Sequence, residues 1–193
     1  MGMSTSKTEA NLICNTNYTR YIWAYNSCGN STATTLMQST STCSFSIGMS
    51  YCGGIIFYID GTGQHGLISS TSDQSTGAQW GCYGTTIGGT STAIGTGQSN
   101  TTRIINGCNT AGIAARICDD LVLNGYDDWF LPSRDELNLM YLQRTVVGGF
   151  ADHIYWSSSE YDANNAWDQW FYGGSQYNRT KSNTLYVRAI RAF

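Results

Sequence analysis

Proline, lysine and charge are scarce in this chain. It has one proline, two lysines (Lys7 and Lys181) and a charged share of 12% over 193 residues. A single proline excludes collagen-like and polyproline designs. Two lysines and a net charge of -3 exclude the basic surplus of a nucleic-acid binder. No apolar run approaches the ~18 residues of a membrane-spanning helix. Histidine is limited to His65 and His153, and no C-x-x-C pair occurs, so a four-ligand zinc site has no sequence basis. What is present in quantity is aromatic residues, at 13%, and 22 glycines. Disorder does not fit such a composition. It describes a turn-rich globular chain of one domain or slightly more, long enough to build a core.

Seven cysteines leave at least one unpaired within the chain. Cys82 and Cys108 sit in loop-like, glycine-flanked sequence and form the expected pair. Cys118 lies on a helical pattern and is expected to pack as a small apolar residue. Disulfides imply an oxidising, extracellular setting. No secretory leader pattern opens the chain, and Met1-Gly2-Met3-Ser4 reads as a fragment boundary, so the start is no argument for the cytoplasm.

Residues 1–46 read as a segment of their own. Tyr18 to Tyr25 alternates like a strand, Asn26 to Asn30 is a turn, and Ser31 to Gln38 is a second strand. A lone hairpin is marginal in water, so it packs on something or ends a larger upstream module. Ser39 to Ser46 reads as a linker. Residues 47–193 change character. Ile55 to Ile59 is a buried strand and His65 to Ser70 its partner. Residues 71–100 form a long Gly/Ser/Thr loop, anchored by Trp80 and Cys82. One helix covers Ile104 to Leu121, with Asn100 or Thr101 as cap, or a start near Thr110, and an end at Gly125. A second helix opens on Ser133-Arg134-Asp135-Glu136, an S-x-x-E capping box, and closes at Gly148-Gly149. Strands follow at Tyr155–Ser158, Ala166–Tyr172 and Leu185–Phe193, the last anchored by Val187 and Ile190. The order predicts an α+β fold with two helices grouped between antiparallel strands.

Five ordered motifs then stand out: GGIIFYIDGTGQHGLISS, DQSTGAQWGC, DWFLPSRDEL, YWSSSE and YVRAIRAF. From about Ile47 to Phe193 the chain resembles the Lcl C-terminal-like family, found in bacterial surface proteins and some viruses. The resemblance implies a C-type-lectin-like fold, related to the sulfatase-modifying-factor architecture. It also implies that the N-terminal hairpin ends an immunoglobulin-like or similar repeat. The C-terminal tract WSSSE…AW…F…VRAIRAF resembles the variable repeat of target proteins diversified by retroelements, in which adenines of Asn codons mutate. That origin yields the residues found at Tyr161, Asp162, Asn164, Asn165, Asp168, Tyr172, Gly173, Ser175, Tyr177, Asn178, Thr180, Ser182, Asn183 and Thr184. Trp156, Ser157, Ala166, Trp167, Phe171 and Val187 are the scaffold letters among them.

Independently of origin, Tyr, Trp, Ser, Gly and Asn are the residues of binding loops, where aromatic area comes at low entropy cost. The expected ligand surface, within about 156–186, contains Tyr161, Asp162, Asn164, Asn165, Asp168, Trp170, Tyr172, Ser175, Tyr177, Asn178 and Arg179. Alternation along Ala166–Tyr172 sets Trp167, Gln169 and Phe171 against Asp168, Trp170 and Tyr172, and one set should be exposed. The resemblance puts Trp167 and Phe171 inside.

Enzyme readings find little support. Asp119-Asp120, Asp127-Asp128 and Asp135-Glu136 each have an ordinary structural role available, and no serine sits in a G-x-S-x-G elbow. The related sulfatase-modifying enzymes use cysteines near their C-terminus, whereas this chain has none after Cys118. Ser157 to Ser159 read as strand residues with hydroxyls bonded locally. Glu160, Asp162, Asn164, Asn165 and Asp168 are oxygen ligands at suggestive spacing for calcium, but the lectin triplets Glu-Pro-Asn and Trp-Asn-Asp are absent. The expectation is therefore a non-enzymatic module without cofactor or metal, extracellular on a cell or virion surface. Its partner would be a protein receptor or a surface glycan, with homo-oligomerisation possible. A non-diversified glycan-binding adhesin and a structural module of a surface protein are the alternatives.

Overall fold

The computed structural model of the chain describes residues 8–10 and 12–193. Met1–Ser4, read above as a boundary, and Lys7 lie outside the described residues. The chain divides into two compact units, one ending at Ser44 and one spanning Phe45–Phe193.

In the first unit, β1 (Asn17–Ile22) pairs antiparallel with β4 (Thr34–Ser39), from Asn17 opposite Ser39 to Ile22 opposite Thr34. Between them, β2 (Tyr25–Asn26) and β3 (Gly29–Asn30) form a smaller hairpin at the tip. The expected hairpin is there, but its second strand starts at Thr34 rather than Ser31, because the tip pairs with itself. The disulfide Cys14–Cys43 closes the open end. The stretch read as a linker from Ser39 continues the pairing instead: Thr40 N donates to Thr16 O at 3.0 Å and Asn15 N to Ser41 O at 2.7 Å.

The second unit contains β5 (Ser50–Tyr51), β6 (Gly54–Ile59), β7 (Gly66–Ser69), β8 (Ser75–Gln79), α1 (Gly97–Gly107), α2 (Ala114–Asp119), α3 (Arg134–Leu142), α4 (Arg144–Val147), β9 (Ile154–Glu160), β10 (Asn165–Trp170), β11 (Gln176–Thr180), β12 (Thr184–Val187) and β13 (Ile190–Ala192). It is a mixed α+β fold, mostly β. One sheet runs β11-β10-β9-β12-β8, antiparallel except for β12 beside β9. The other runs β13-β7-β6-β5. Tyr155 and Trp156 are neighbours on β9 yet enter different apolar clusters, so the clusters lie on opposite sides of that strand. The Trp156 cluster contains Trp80, Ile104, Ile113 and Val187. The Tyr155 cluster contains Phe57, Leu137, Phe171 and Ile190. Among the described residues no helix is long and apolar enough to cross a membrane.

Four expectations change. The 71–100 loop contains β8, whose residues STGAQ include only Thr76 as a strand former but find a partner in β12. The helix expected at 104–121 is two helices, split after Gly107, and the first starts at Gly97 rather than at Asn100, Thr101 or Thr110. Its amino end is served by a distant carboxylate: Glu136 accepts from Gly95 N at 2.7 Å and Gly97 N at 3.5 Å. Asn100 does not cap; its amide donates to Ser91 O and accepts from Ser91 N. The 133–148 helix keeps its capping box, with Ser133 Oγ accepting from Glu136 N and Glu136 Oε2 accepting from Ser133 N, but breaks at Gln143 into α3 and α4. Finally, the last strand divides at Arg188 and Ala189, because Arg188 turns fully inward. The cysteine expectations hold: Cys82 pairs with Cys108, and Cys118 is buried and free.

Candidate functional site

The expected ligand surface falls on the two hairpins β9–β10 and β10–β11. A buried ion pair ties the strand ends at the first of the two turns. Lys181 is fully buried, with Nζ 2.5 Å from Glu160 Oε1, 2.8 Å from Thr85 O and 4.6 Å from the Trp80 ring. Glu160 in turn accepts from Ile87 N and Gly88 N at 2.8 and 2.7 Å. The long loop after β8 is thereby tied to the strand ends.

The first tip, 161–164, is organised by Asp162. Its Oδ1 accepts from Asn164 N at 2.8 Å and Asn165 N at 2.7 Å, and these donors hold its carboxyl below the usual range. Asn164 O accepts from Lys181 N, and Ala163 O from Gly84 N. The Tyr161 ring meets Trp167 edge-on at 5.4 Å, and Trp167 lies under the Arg134 guanidinium at 4.9 Å. The second tip turns at Gly174, with φ of +80°. A Cβ there would come within 2.6 Å of Tyr141 Oη, so glycine is required by both conformation and space. Trp170 and Tyr172 stand 5.8 Å apart at this turn.

Residues directly opposite in a ladder share a side. Asp168 opposes Tyr177, and Ala166 opposes Arg179, so these lie on one side of β10 and β11; Trp167 and Asn178 lie on the other. The second side is packed on α3: Gln176 Nε2 donates to Arg134 O and Gln169 Nε2 to Asn138 Oδ1, both at 2.8 Å. The expected site residues are therefore divided between two sides. Tyr161, Trp170, Tyr172 and Tyr177 are exposed, at 55, 41, 69 and 50%. Asp162, Asn164, Ser175 and Asn178 are exposed too, while Asn165 and Arg179 are half-buried.

Asp168 is a correction. It is fully buried, mid-strand between Trp156 on β9 and Tyr177 on β11, and cannot meet a ligand directly. Arg179 Nε lies 3.1 Å from its Oδ2, but among the described residues neither carboxylate oxygen has a hydrogen-bond partner. Burial pushes this carboxyl up to about 6, against the pull of Arg179. The alternation expected along Ala166–Tyr172 holds at the turn end, where Phe171 is buried and Trp170 and Tyr172 are exposed. It fails at Asp168, and Trp167 is only half-buried.

The carboxylates weighed for calcium each serve another partner: Glu160 holds Lys181, Asp162 its own loop, Asp168 Arg179. Among the described residues no group of three or more His, Cys, Asp or Glu is placed to hold a metal ion. Other acidic groups are equally occupied. Asp128 binds Arg191 at 2.7 Å through both oxygens, and Asp73 takes Arg188 Nε and Tyr155 Oη at 2.8 and 2.9 Å.

Sequence reasoning missed how far three serines reach. Ser157 Oγ donates to Trp167 O, Ser158 Oγ accepts from Asn100, and Ser159 Oγ donates to Ser91 O and accepts from Arg134 N. They tie β9 to β10, α1, α3 and the Ser91 loop, not to themselves alone. The signal was an apolar-buried strand in which hydroxyls replace aliphatic side chains.

Residues 69–191 match the family model of the Lcl C-terminal domain. The chain belongs to the Lcl C-terminal domain family. The matched Lcl segment runs from the end of β7 into β13 and so includes both hairpin tips, the Glu160–Lys181 pair and the inward Arg188. The N-terminal hairpin lies outside it. No curated protein matches the chain.

Proposed function

We propose that the β9–β10–β11 ribbon of this Lcl C-terminal domain, with the turns at its two ends, presents a ligand-binding face on a non-enzymatic, surface-displayed module. One observation carries the reading: Tyr161, Trp170, Tyr172 and Tyr177 are large aromatics left exposed on a paired three-strand ribbon, β9–β10–β11, anchored at one end by a buried ion pair. Aromatic side chains held out on a rigid frame lose little entropy on binding. The mixed α+β architecture suits a C-type-lectin-like fold, which the family resemblance implies. The partner is a receptor protein or surface glycan, and the disulfides fit an extracellular, cell-surface or virion setting.

Diversification by a retroelement is part of the proposal. The exposed positions Tyr161, Asn164, Tyr172, Ser175, Tyr177 and Asn178 are free to vary, whereas Glu160, Asp168 and Lys181 belong to the frame. The decisive observation is the flanking DNA. A reverse transcriptase beside an adenine-differing copy of residues 156–193 supports this origin; without them that origin is wrong, and the binding reading stands as a non-diversified adhesin. The face itself is tested by a Trp170→Ala/Tyr177→Ala variant, screened against surface proteins and glycans that the parent chain captures. Retained capture with unchanged folding sinks the site.

A structural-module role has one observation in its favour. The N-terminal hairpin leaves Tyr21, Ile22, Leu36 and Met37 exposed, more apolar surface than a free hairpin should show.

A further inference from the structure

Arg179 has one side of its guanidinium committed and the other free. Its Nε is buried and directed at Asp168, 3.1 Å from Oδ2, although the angle makes no hydrogen bond. No described residue hydrogen-bonds its two terminal amino groups, and its side chain is 35% exposed. Tyr177 and Trp170 stand on the same side of the hairpin, both exposed. A guanidinium is a planar fork of five donors, matched by a carboxylate that takes two of them. Here Asp168, buried and unsatisfied, draws the inner edge down, and the outer edge faces solvent.

The strand that carries Arg179 adds a second feature. β11 is the outermost strand of its sheet, paired on one side with β10 alone. Its sequence Gln-Tyr-Asn-Arg-Thr contains neither proline nor lysine, and no described strand pairs with its outer edge. An open strand edge is a template for an extended peptide, with backbone bonds for affinity and side-chain contacts for specificity.

We propose that β11 accepts an extended segment of a protein partner along its open edge, and that Arg179 reads an acidic side chain of that segment. This rests on the β9–β10–β11 ribbon being a binding face and names what it binds. A polyanionic glycan is disfavoured by the same geometry. Among the described residues, this side of the hairpin offers Arg179 as its one cation, its charge is partly offset by Asp168, and the chain is net negative. A sugar also has no use for a row of backbone donors and acceptors.

The test is panning the full chain against a random linear peptide library displayed on phage. Arg179→Gln and Trp170→Ala/Tyr177→Ala are panned beside it. An Asp168→Asn/Arg179→Gln double variant guards against misfolding, because it leaves no lone buried charge. Peptides selected by the parent should carry Asp or Glu at one fixed position. Changing that residue to its amide should weaken parent binding about tenfold, the scale of one hydrogen bond to a charged group, and leave the Arg179→Gln and double variants unaffected. Selected peptides without an acidic preference that still need Trp170 and Tyr177 overturn the proposal and leave the binding face standing. Failure to select any peptide overturns the proposal as well. Peptides indifferent to all these substitutions overturn both readings. Arg179-dependent binding of heparin without peptide binding assigns the fork to a polyanion, against the proposal.

Discussion

Glu160 and Lys181 meet at 2.5 Å, and between them in sequence lies the whole of both hairpin tips. The pair is buried on both sides and adds Thr85 O and two backbone amides of the 82–91 loop to the same knot. It holds the entry and exit of the candidate face together while contributing nothing to its exposed surface.

Breaking this pair should be costly. Lys181→Met keeps the stem and removes the charge, leaving Glu160 buried with amide donors only. The expected loss is about 3 kcal/mol, the low end for a disrupted buried pair, read as a lower midpoint in urea or heat. Glu160→Gln on top of it should recover part of the loss. A Lys181→Met chain as stable as the parent would show the pair to be incidental.

Asp168 predicts a pH dependence of definite sign. Its carboxyl is raised to about 6 in the folded chain, above an unfolded value near 4. The native state therefore keeps a proton that the unfolded state gives up. This group's contribution is fully favourable below about pH 4 and is lost as pH rises to about 6 and beyond. Asp168→Asn should remove that slope, so the variant gains on the parent as pH rises from 4 to 7. Carboxyl-carbon NMR titration measures the same value directly. A midpoint at or below 4 would show that Arg179 outweighs burial.

The cysteines should separate cleanly by reactivity. Cys28 is exposed, Cys52 half-buried and Cys118 buried, and burial raises the Cys118 thiol above its ordinary value. A thiol reagent should label Cys28 first and Cys118 only on unfolding. Removing the Cys82–Cys108 bridge by a paired Ser substitution should cost roughly 3 kcal/mol for a loop of this length, read by denaturant titration. Rapid native-state labelling of Cys118 would contradict its placement.

What the sequence revealed and what it hid divide by range. The capping box at Ser133 and Glu136 is legible because its two bonds join residues three apart. The buried anchors Val187 and Ile190, and Trp80 inside its loop, follow from apolarity alone. The start of α1 was hidden because its amide partner, Glu136, comes from another helix. β8 was hidden because its pairing with β12, and not its own propensity, makes it a strand. Asp168 shows the limit at the site. A charged letter in an alternating strand reads as solvent-facing, and only the register with Trp156 and Tyr177 shows that it is covered.

Arg188 has a consequence for the order of folding. It donates to Asp73 and to the carbonyls of Ser70, Gly148 and Gly149, and beside it Ile190 on β13 pairs with Ser69 on β7. Contacts between such distant positions are slow to form, since a long loop must close before any of them stabilises the chain. Strands β6 and β7 are therefore expected to pair with each other before β13 completes their sheet. Until β13 arrives, β7 keeps an apolar strand with an unpaired edge, and the second unit should fold in one late step rather than progressively from its amino end.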